Sequence, residues 1–174
     1  MSAATDIVAR QGFHSASVDA IAKRAGYSIG ALYWHFANKD ELFLAVFDEH
    51  VSWFERQLRE AVAAADAGRG ATEWLELSVK RPEQFLIFVE FWAYAVRKPK
   101  VRPAFAERMR QMRETAAAAL RERAHAAGKQ PPLPPELAAV IGLALGRGIA
   151  MEKLADPDGF PDDSLAPLLA ALTV

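Results

Sequence analysis

The stretch SIGALYWHF, from Ser28 to Phe36, places two small residues in front of a tyrosine, a tryptophan and a histidine. A tyrosine hydroxyl and a histidine imidazole can both donate hydrogen bonds to phosphate oxygens, and Lys39 adds a cation shortly afterwards. The small pair, Gly30 and Ala31, lets another molecule come close to the backbone. These residue types therefore favour binding to a phosphate-bearing partner.

Other residues that could carry chemistry show no catalytic or metal-binding spacing. The chain has no cysteine, which excludes disulfides, thiolate catalysis and cysteine zinc sites. His14, His50 and His125 do not share a metal-ligand spacing. The glycine pairs at 68–70 and 146–148 follow no predicted strand, so they do not indicate phosphate-binding loops. We expect no enzyme activity, no metal and no cofactor.

The residues around SIGALYWHF predict that it forms the second helix of a helix-turn-helix. Ser17 can cap a first helix over Val18 to Arg24, Gly26 follows in a turn, and Ser28 can cap the second helix. Such a second helix enters the major groove of DNA with its N-terminal residues against base edges. The predicted DNA-binding residues are Ser17, Ser28, Ile29, Gly30, Ala31, Tyr33, Trp34, His35 and Lys39.

Several residues of this region also have a competing structural role. Burial preferences predict a small core for the three-helix head from Val18, Ile21, Ala22, Leu32 and Phe36. Tyr33 and Trp34 suit either that core or the DNA, although the tyrosine hydroxyl favours a polar partner. His35, Lys23 and Arg24 could be ordinary surface residues.

Charge limits how strongly this head can hold DNA. The whole chain has 174 residues, 52% of them hydrophobic, and a formal net charge of −1. The acidic residues of positions 1–47 equal the basic ones in number: Arg10, Lys23, Arg24 and Lys39 against Asp6, Asp19, Asp40 and Glu41. DNA affinity usually depends on phosphate neutralisation, so we expect modest affinity.

The rest of the chain has helical spacing and no strand or hairpin signal, which predicts an all-α fold. Asn38 and Glu41 form a capping box at the start of a long helix, whose stripe begins with Phe43 and Phe47. Residues 85–96 are apolar nearly all round apart from Glu90, which predicts a central buried helix. We find no secretory signal and no apolar window long enough for a bilayer, and expect a cytoplasmic protein.

The run GFHSASVDAIAKRAGYSIGALYWHFANKDELFLAVF resembles the DNA-binding half of the TetR (tetracycline-repressor-like) family, over about forty contiguous residues with several motifs in order. The segment FWAYAVRKPKVRPAF is similar to one found near the choline-responsive branch. The resemblance implies a helix-turn-helix DNA-binding domain over 1–47 and a helical ligand-binding and dimerisation domain over 48–174. It implies a homodimeric repressor on double-stranded DNA, with a small-molecule effector. The family's first helix begins earlier than residue 3, which suggests a truncated or misplaced Met1.

An effector pocket is expected between the helix Phe85 to Val96 and the helix Phe105 to Ala124, because the first of these has surplus aromatic bulk. The predicted lining is Trp74, Phe88, Glu90, Trp92, Met109 and Met112. Glu90 has two interpretations: a structural carboxylate paired with an arginine or tyrosine, or a pocket carboxylate that recognises a cationic ligand. Met109 and Met112 have the helical spacing that is more often found in a core than in a pocket.

A homodimer interface is predicted from the last two helices. Small glycines on one helix allow close packing, and leucines on the other supply an apolar stripe without an obvious partner. The predicted interface is Gly142, Gly146, Leu165, Leu168, Leu169 and Leu172.

Two other functions fit part of the sequence. A helical enzyme or carrier could hold an apolar small molecule without using DNA. The protein could also be a family member that no longer binds DNA and acts through protein contacts, because its head is neutral and its first helix is short.

Overall fold

The computed structural model describes residues 4–8, 12, 16–63, 80–128 and 130–159, and within these ranges every regular element is an α-helix. This confirms the predicted all-α fold. Trp74 and the four predicted interface leucines lie outside the described residues. The seven described helices are α1 (residues 4–8), α2 (Val18–Ala25), α3 (Ile29–His35), α4 (Lys39–Ala63), α5 (Pro82–Arg97), α6 (Arg102–Ala127) and α7 (Pro135–Ala155).

The chain forms two compact units. Unit 1 contains Met1–Ser52 and Glu83–Arg108, and unit 2 contains Trp53–Pro82 and Met109–Val174. Unit 1 therefore joins the helix-turn-helix to α5 and the first turns of α6. The boundary predicted after residue 47 falls within α4 and stays a prediction.

Local hydrogen bonds set the ends of the two short helices as predicted. The Ser17 hydroxyl accepts from the Ala20 amide at 3.0 Å, and the Ser28 hydroxyl accepts from the Ala31 amide at 3.1 Å. Gly26 ends α2 in the left-handed region with φ of 74°. A side chain there would be strained, so glycine suits this tight turn.

The predicted capping box at the start of α4 is confirmed. The Asn38 side-chain oxygen accepts from the Glu41 amide at 3.0 Å, and the Glu41 carboxylate accepts from the Ala37 amide at 2.6 Å. Two amides that the helix cannot satisfy internally therefore have side-chain partners. This fixes where α4 begins relative to α3.

An aromatic cluster forms the core of unit 1. Phe47 of α4 stacks on Phe91 of α5 with ring centroids 4.7 Å apart, and it lies 5.1 Å from the ring of Phe105 on α6. Phe43 meets Phe91 edge-on, and the buried His50 stacks on Phe47 at 5.4 Å. Such ring pairs add about 0.5–1.5 kcal/mol each beyond their buried area. The first turns of the stripe predicted along α4, at Phe43 and Phe47, therefore pack against α5 and α6.

Burial of α5 on all sides was predicted, and this is wrong for the single chain. Leu86, Trp92 and Val96 remain 42%, 52% and 46% exposed. The cause is that the neighbouring helices of unit 1 cover only one side of α5. A helix with apolar residues on every side is therefore not always buried on every side. The buried residues of α5 are Phe85, Ile87, Phe88, Phe91 and Ala95.

Unit 2 contains most of α6 and all of α7. Met112 of α6 and Leu143 of α7 are buried in its core. An ion pair between Arg121 and Glu136 connects the two helices, and Glu55 accepts a hydrogen bond from Gln111 at 3.1 Å. None of the described helices has a long enough apolar stretch to cross a bilayer.

Candidate nucleic-acid interface

Helix α3 lies at the surface of unit 1 and packs against α2, as a helix-turn-helix requires. None of its seven residues is buried. Its large side chains are strongly exposed, at 44% for Ile29, 51% for Tyr33 and 84% for Trp34, and Tyr27 just before it is 65% exposed. Ile29 and Tyr33 lie four residues apart and share one side of the helix, and Trp34 is turned about 100° further round it. The surface combines apolar area with hydrogen-bonding edges.

The chain itself does not require a glycine at position 30. A Cβ there would meet only the Ser28 hydroxyl oxygen, at 3.9 Å. The backbone at Gly30 is exposed and helical, so its small size leaves open space on the outer side of α3. His35 lies at the other end of the helix, with its ring edge-on to Trp34 at 5.2 Å.

The predicted head core is confirmed for two of its five members. Ile21 and Ala22 of α2 are 2% and 1% exposed. Val18, Leu32 and Phe36 are only partly buried, because a head of such short helices does not enclose every apolar side chain. The five side chains are still less exposed than the outer residues of α3.

The start of α4 brings charged groups from two parts of the sequence together. Lys39 is half-buried with its ammonium 5.1 Å from the centre of the Phe43 ring. Burial lowers the pKa of Lys39, and the nearby Lys98 ammonium lowers it further. At the next position, Asp40 accepts hydrogen bonds from the Tyr94 hydroxyl and from the Lys98 ammonium, the latter at 3.1 Å.

These contacts change the titration of all three partners. Partial burial acts to raise the pKa of Asp40, but the hydrogen bonds from Tyr94 and Lys98 outweigh it, so the pKa is lowered. Burial and the bond to Asp40 raise the pKa of Tyr94. Hydrogen bonding to Tyr94 and then to Asp40 raises the pKa of Lys98. At neutral pH the cluster thus holds a carboxylate and an ammonium, a charge-assisted pair.

Sequence reasoning did not connect Lys98 and Tyr94 to the head. Both lie more than fifty residues after Asp40, in the segment noted only for its family similarity. A usable signal was present, because the run RKPKVR is strongly basic while the head is neutral.

The predicted effector residues of unit 1 occupy different surroundings. Phe88 is buried, with its ring 6.5 Å from Phe47. Trp92 is half exposed. The Glu90 carboxylate packs against residue 12, where a Cβ added to Gly12 would lie 3.0 Å from its Oε1 atom.

Of the two predicted effector residues of unit 2, Met109 lies beside an arginine that sequence reasoning left without a role. Met112 is buried, and the Met109 sulfur lies 3.9 Å from the Arg147 guanidinium, which donates to it. Burial, and then the charge of Arg113, lower the pKa of Arg147 to about 10. Arg147 is therefore still charged at neutral pH.

Helix α7 exposes an aliphatic stripe. Leu137, Val140 and Met151 are 46%, 46% and 55% exposed, and the smaller Ala144 between them is also exposed. Of the predicted interface glycines, Gly146 is buried within the chain, whereas a Cβ on Gly142 would meet nothing within 4 Å. The glycines alone were therefore an incomplete guide to the outward side of α7.

Two family profiles match the chain. The profile described as "Bacterial regulatory proteins, tetR family" covers residues 1–46. The profile described as "BetI-type transcriptional repressor, C-terminal" covers residues 64–173. Together they cover both the helix-turn-helix and the helices that follow α4.

Individual relatives match in sequence over a part and in fold over nearly the whole chain. The HTH-type transcriptional activator FasR of Mycolicibacterium smegmatis is 40% identical over 67 residues, which are 38% of this chain and 31% of that protein. Salmonella enterica GusR superposes with a TM-score of 0.80 at 25% identity, covering 99% of this chain and 92% of that one. Bacillus subtilis FadR, solved with stearoyl-CoA, gives 0.72 at 19% identity, covering 99% and 95%.

Proposed function

Because this chain belongs to the TetR family of transcriptional regulators, we propose that it binds a palindromic DNA operator as a homodimer. In this proposal it is a repressor, and a small, partly hydrophobic effector releases it from the operator. One observation carries the DNA-binding role: α3 is a capped helix with no buried residue, and it exposes the large side chains of Tyr33 and Trp34 to solvent.

The contacts with DNA divide into base and phosphate contacts. The first turn of α3 faces base edges, because a recognition helix enters the major groove by its N-terminal residues. There Ile29 and Ala31 offer apolar contact, and Gly30 allows close approach. The phosphate contacts come from Tyr33, His35 and Lys39, which follow on α3 and at the start of α4.

A two-fold homodimer is supported by the exposed stripe of α7. Leu137, Val140, Ala144 and Met151 are spaced by three, four and seven residues, the pattern of a helix–helix seam. Exposed aliphatic area of this kind marks an interaction surface, and the small Ala144 would let a second helix approach closely. The same stripe on a second copy of the chain would cover this surface in a two-fold dimer. Such a dimer would bind a palindromic DNA site with one recognition helix in each half-site.

The class of effector follows from the charges in unit 2. Arg147 is half-buried close to Met109, and a second cation, Arg113, acts on it. The Arg147 guanidinium can donate hydrogen bonds to an acidic head group, and a hydrocarbon chain would suit the methionine. We therefore favour an effector with an anionic head and an apolar tail, the chemistry of the stearoyl-CoA held by Bacillus subtilis FadR.

A cationic effector recognised by Glu90 is the competing proposal. Thermal unfolding with stearoyl-CoA or with choline distinguishes the two. An acidic effector at Arg147 predicts that stearoyl-CoA raises the unfolding temperature of wild type and of Glu90→Gln but not of Arg147→Gln. Stabilisation by choline that disappears in Glu90→Gln would overturn the acidic effector.

The DNA-binding role is tested by mixing the purified protein with fragmented genomic DNA and sequencing the bound fragments. We expect recovery of a pseudo-palindrome. No enrichment even at low salt would contradict the proposal and favour a DNA-independent ligand carrier or a family member that has lost DNA binding. The effector is then tested for release of the recovered fragment.

A further inference from the structure

The helix-turn-helix head has as many acidic as basic residues, and the structure places further basic residues beside it. Residues 97–102, which we call the basic turn, connect α5 to α6 and contain Arg97, Lys98, Lys100 and Arg102 without any acidic residue. The basic turn lies in unit 1 with the head. Head and turn together hold eight basic residues against four acidic ones.

The basic turn has a defined conformation. The Val101 and Arg102 amides both donate to the Lys98 carbonyl at 3.0 Å, and Pro99 occupies the second position of the turn, which proline favours. Val101 is buried at 3% exposure, which anchors the turn to unit 1. The charged side chains around it are exposed. The backbone positions of these residues are therefore set before any partner arrives, which lowers the entropy cost of binding.

Lys98 connects this turn to the start of α4. Its ammonium donates to Asp40 at 3.1 Å, and its charge acts on Lys39, the residue assigned to a phosphate. Asp40 alone would repel a phosphate near Lys39, so its pairing with Lys98 removes that repulsion. In the part of the chain that the structure describes, Arg97, Lys100 and Arg102 form no ion pair that would occupy them instead.

We propose that the basic turn is a second phosphate-binding surface, which holds the DNA backbone beside the phosphates contacted by Lys39. The inference rests on the proposed DNA-binding function. Arg97, Lys100 and Arg102 contact phosphates, and Lys98 neutralises Asp40. The partner is double-stranded DNA just outside the bases that α3 contacts, so this surface adds affinity without adding sequence preference.

The test measures the salt dependence of binding to the recovered operator by fluorescence anisotropy. The double variant Lys100→Gln/Arg102→Gln leaves the Lys98–Asp40 pair in place. Each lost phosphate contact lowers the slope of log affinity against log salt by about 0.9, and a homodimer loses two contacts on each protomer, so we expect a decrease of about 3.6. The loss should be equal for the operator and for unrelated DNA.

The matched control is Arg56→Gln/Arg59→Gln, which removes the same charge from exposed positions of α4. Arg59 lies about 30 Å along that helix from Lys39, because each residue adds about 1.5 Å. The control should keep the wild-type slope. An unchanged slope in the Lys100→Gln/Arg102→Gln variant, or an equal decrease in the control, would overturn the proposal. Wild type without any DNA binding would instead contradict the function on which it rests.

Discussion

Helices α3 and α7 both expose large apolar side chains, but their surroundings differ. The outward side of α3 has tyrosine and tryptophan rings with polar edges, and Lys39 follows it at the start of α4. The outward side of α7 has leucine, valine and methionine, spaced as in a helix–helix seam. Exposed apolar area alone does not identify a partner. The polar edges and the cation beside the apolar surface of α3 favour DNA, whereas the purely aliphatic surface of α7 favours a second copy of the chain.

Breaking the α7 surface should have a large effect on assembly. Val140→Glu places a carboxylate in the aliphatic stripe, where a dimer would bury it without a partner. We expect the dissociation constant of the dimer to rise by about 100-fold, measured by analytical ultracentrifugation across a protein dilution series. Operator affinity should fall with it, because two half-sites would no longer be bound together.

Leu86→Glu is the matched control, since it changes a similarly exposed apolar residue on α5. It should leave the dimer intact. A wild-type protein that is monomeric at micromolar concentration, or a Val140→Glu dimer of unchanged stability, would contradict the role given to α7.

Removing the cation beside α3 should have a smaller effect. Lys39→Ala deletes one phosphate contact on each protomer of the dimer, so the salt slope should decrease by about 1.8 and affinity for all sequences should fall together. Anisotropy titrations at several salt concentrations measure both quantities. Unchanged affinity and slope would show that Lys39 serves only to pack against Phe43, while a loss confined to the operator would make it a base contact.

The smallest expected effect concerns the link between the head and α5. The pKa of Asp40 is lower in the folded protein, so its contribution to stability is present above its unfolded pKa of about 3.9 and is lost as pH falls through the folded value. Asp40→Asn should therefore lower the free energy of unfolding at pH 7, and its difference from wild type should shrink as pH falls below the unfolded pKa of about 3.9. Urea unfolding across a series of pH values measures this, and a pH-independent difference would rule out the titration.

The helix boundaries in unit 1 were predictable because local interactions determine them. Ser17, Ser28, Gly26 and the Asn38–Glu41 pair act within four residues of their own positions, so a sequence pattern contains all the information they need. The helical fold class followed for the same reason, from spacing along single helices.

The neighbours of each helix were less predictable because they depend on distant residues. Helix α5 has apolar residues on every side, so its sequence could not show that Trp92 faces solvent. The exposure of Trp92 depends on which side of α5 the neighbouring helices cover. The link from Asp40 to Tyr94 and Lys98 joins residues more than fifty positions apart. The glycines of α7 suggested an interface, but only the fold separates the buried Gly146 from the exposed aliphatic stripe.

The most direct test of the central claim changes Gly30, a position of α3 where the fold leaves room for a side chain. A Cβ at Gly30 meets only the Ser28 hydroxyl at 3.9 Å, so Gly30→Leu should fold and dimerise like wild type while it blocks approach to the groove. Gly30→Ala is the matched control. In operator titrations we predict that Gly30→Leu loses about 1000-fold in affinity, down to the level of unrelated DNA, whereas Gly30→Ala retains operator preference. A folded Gly30→Leu dimer that still prefers the operator as strongly as wild type would contradict the assignment of α3 as the recognition helix.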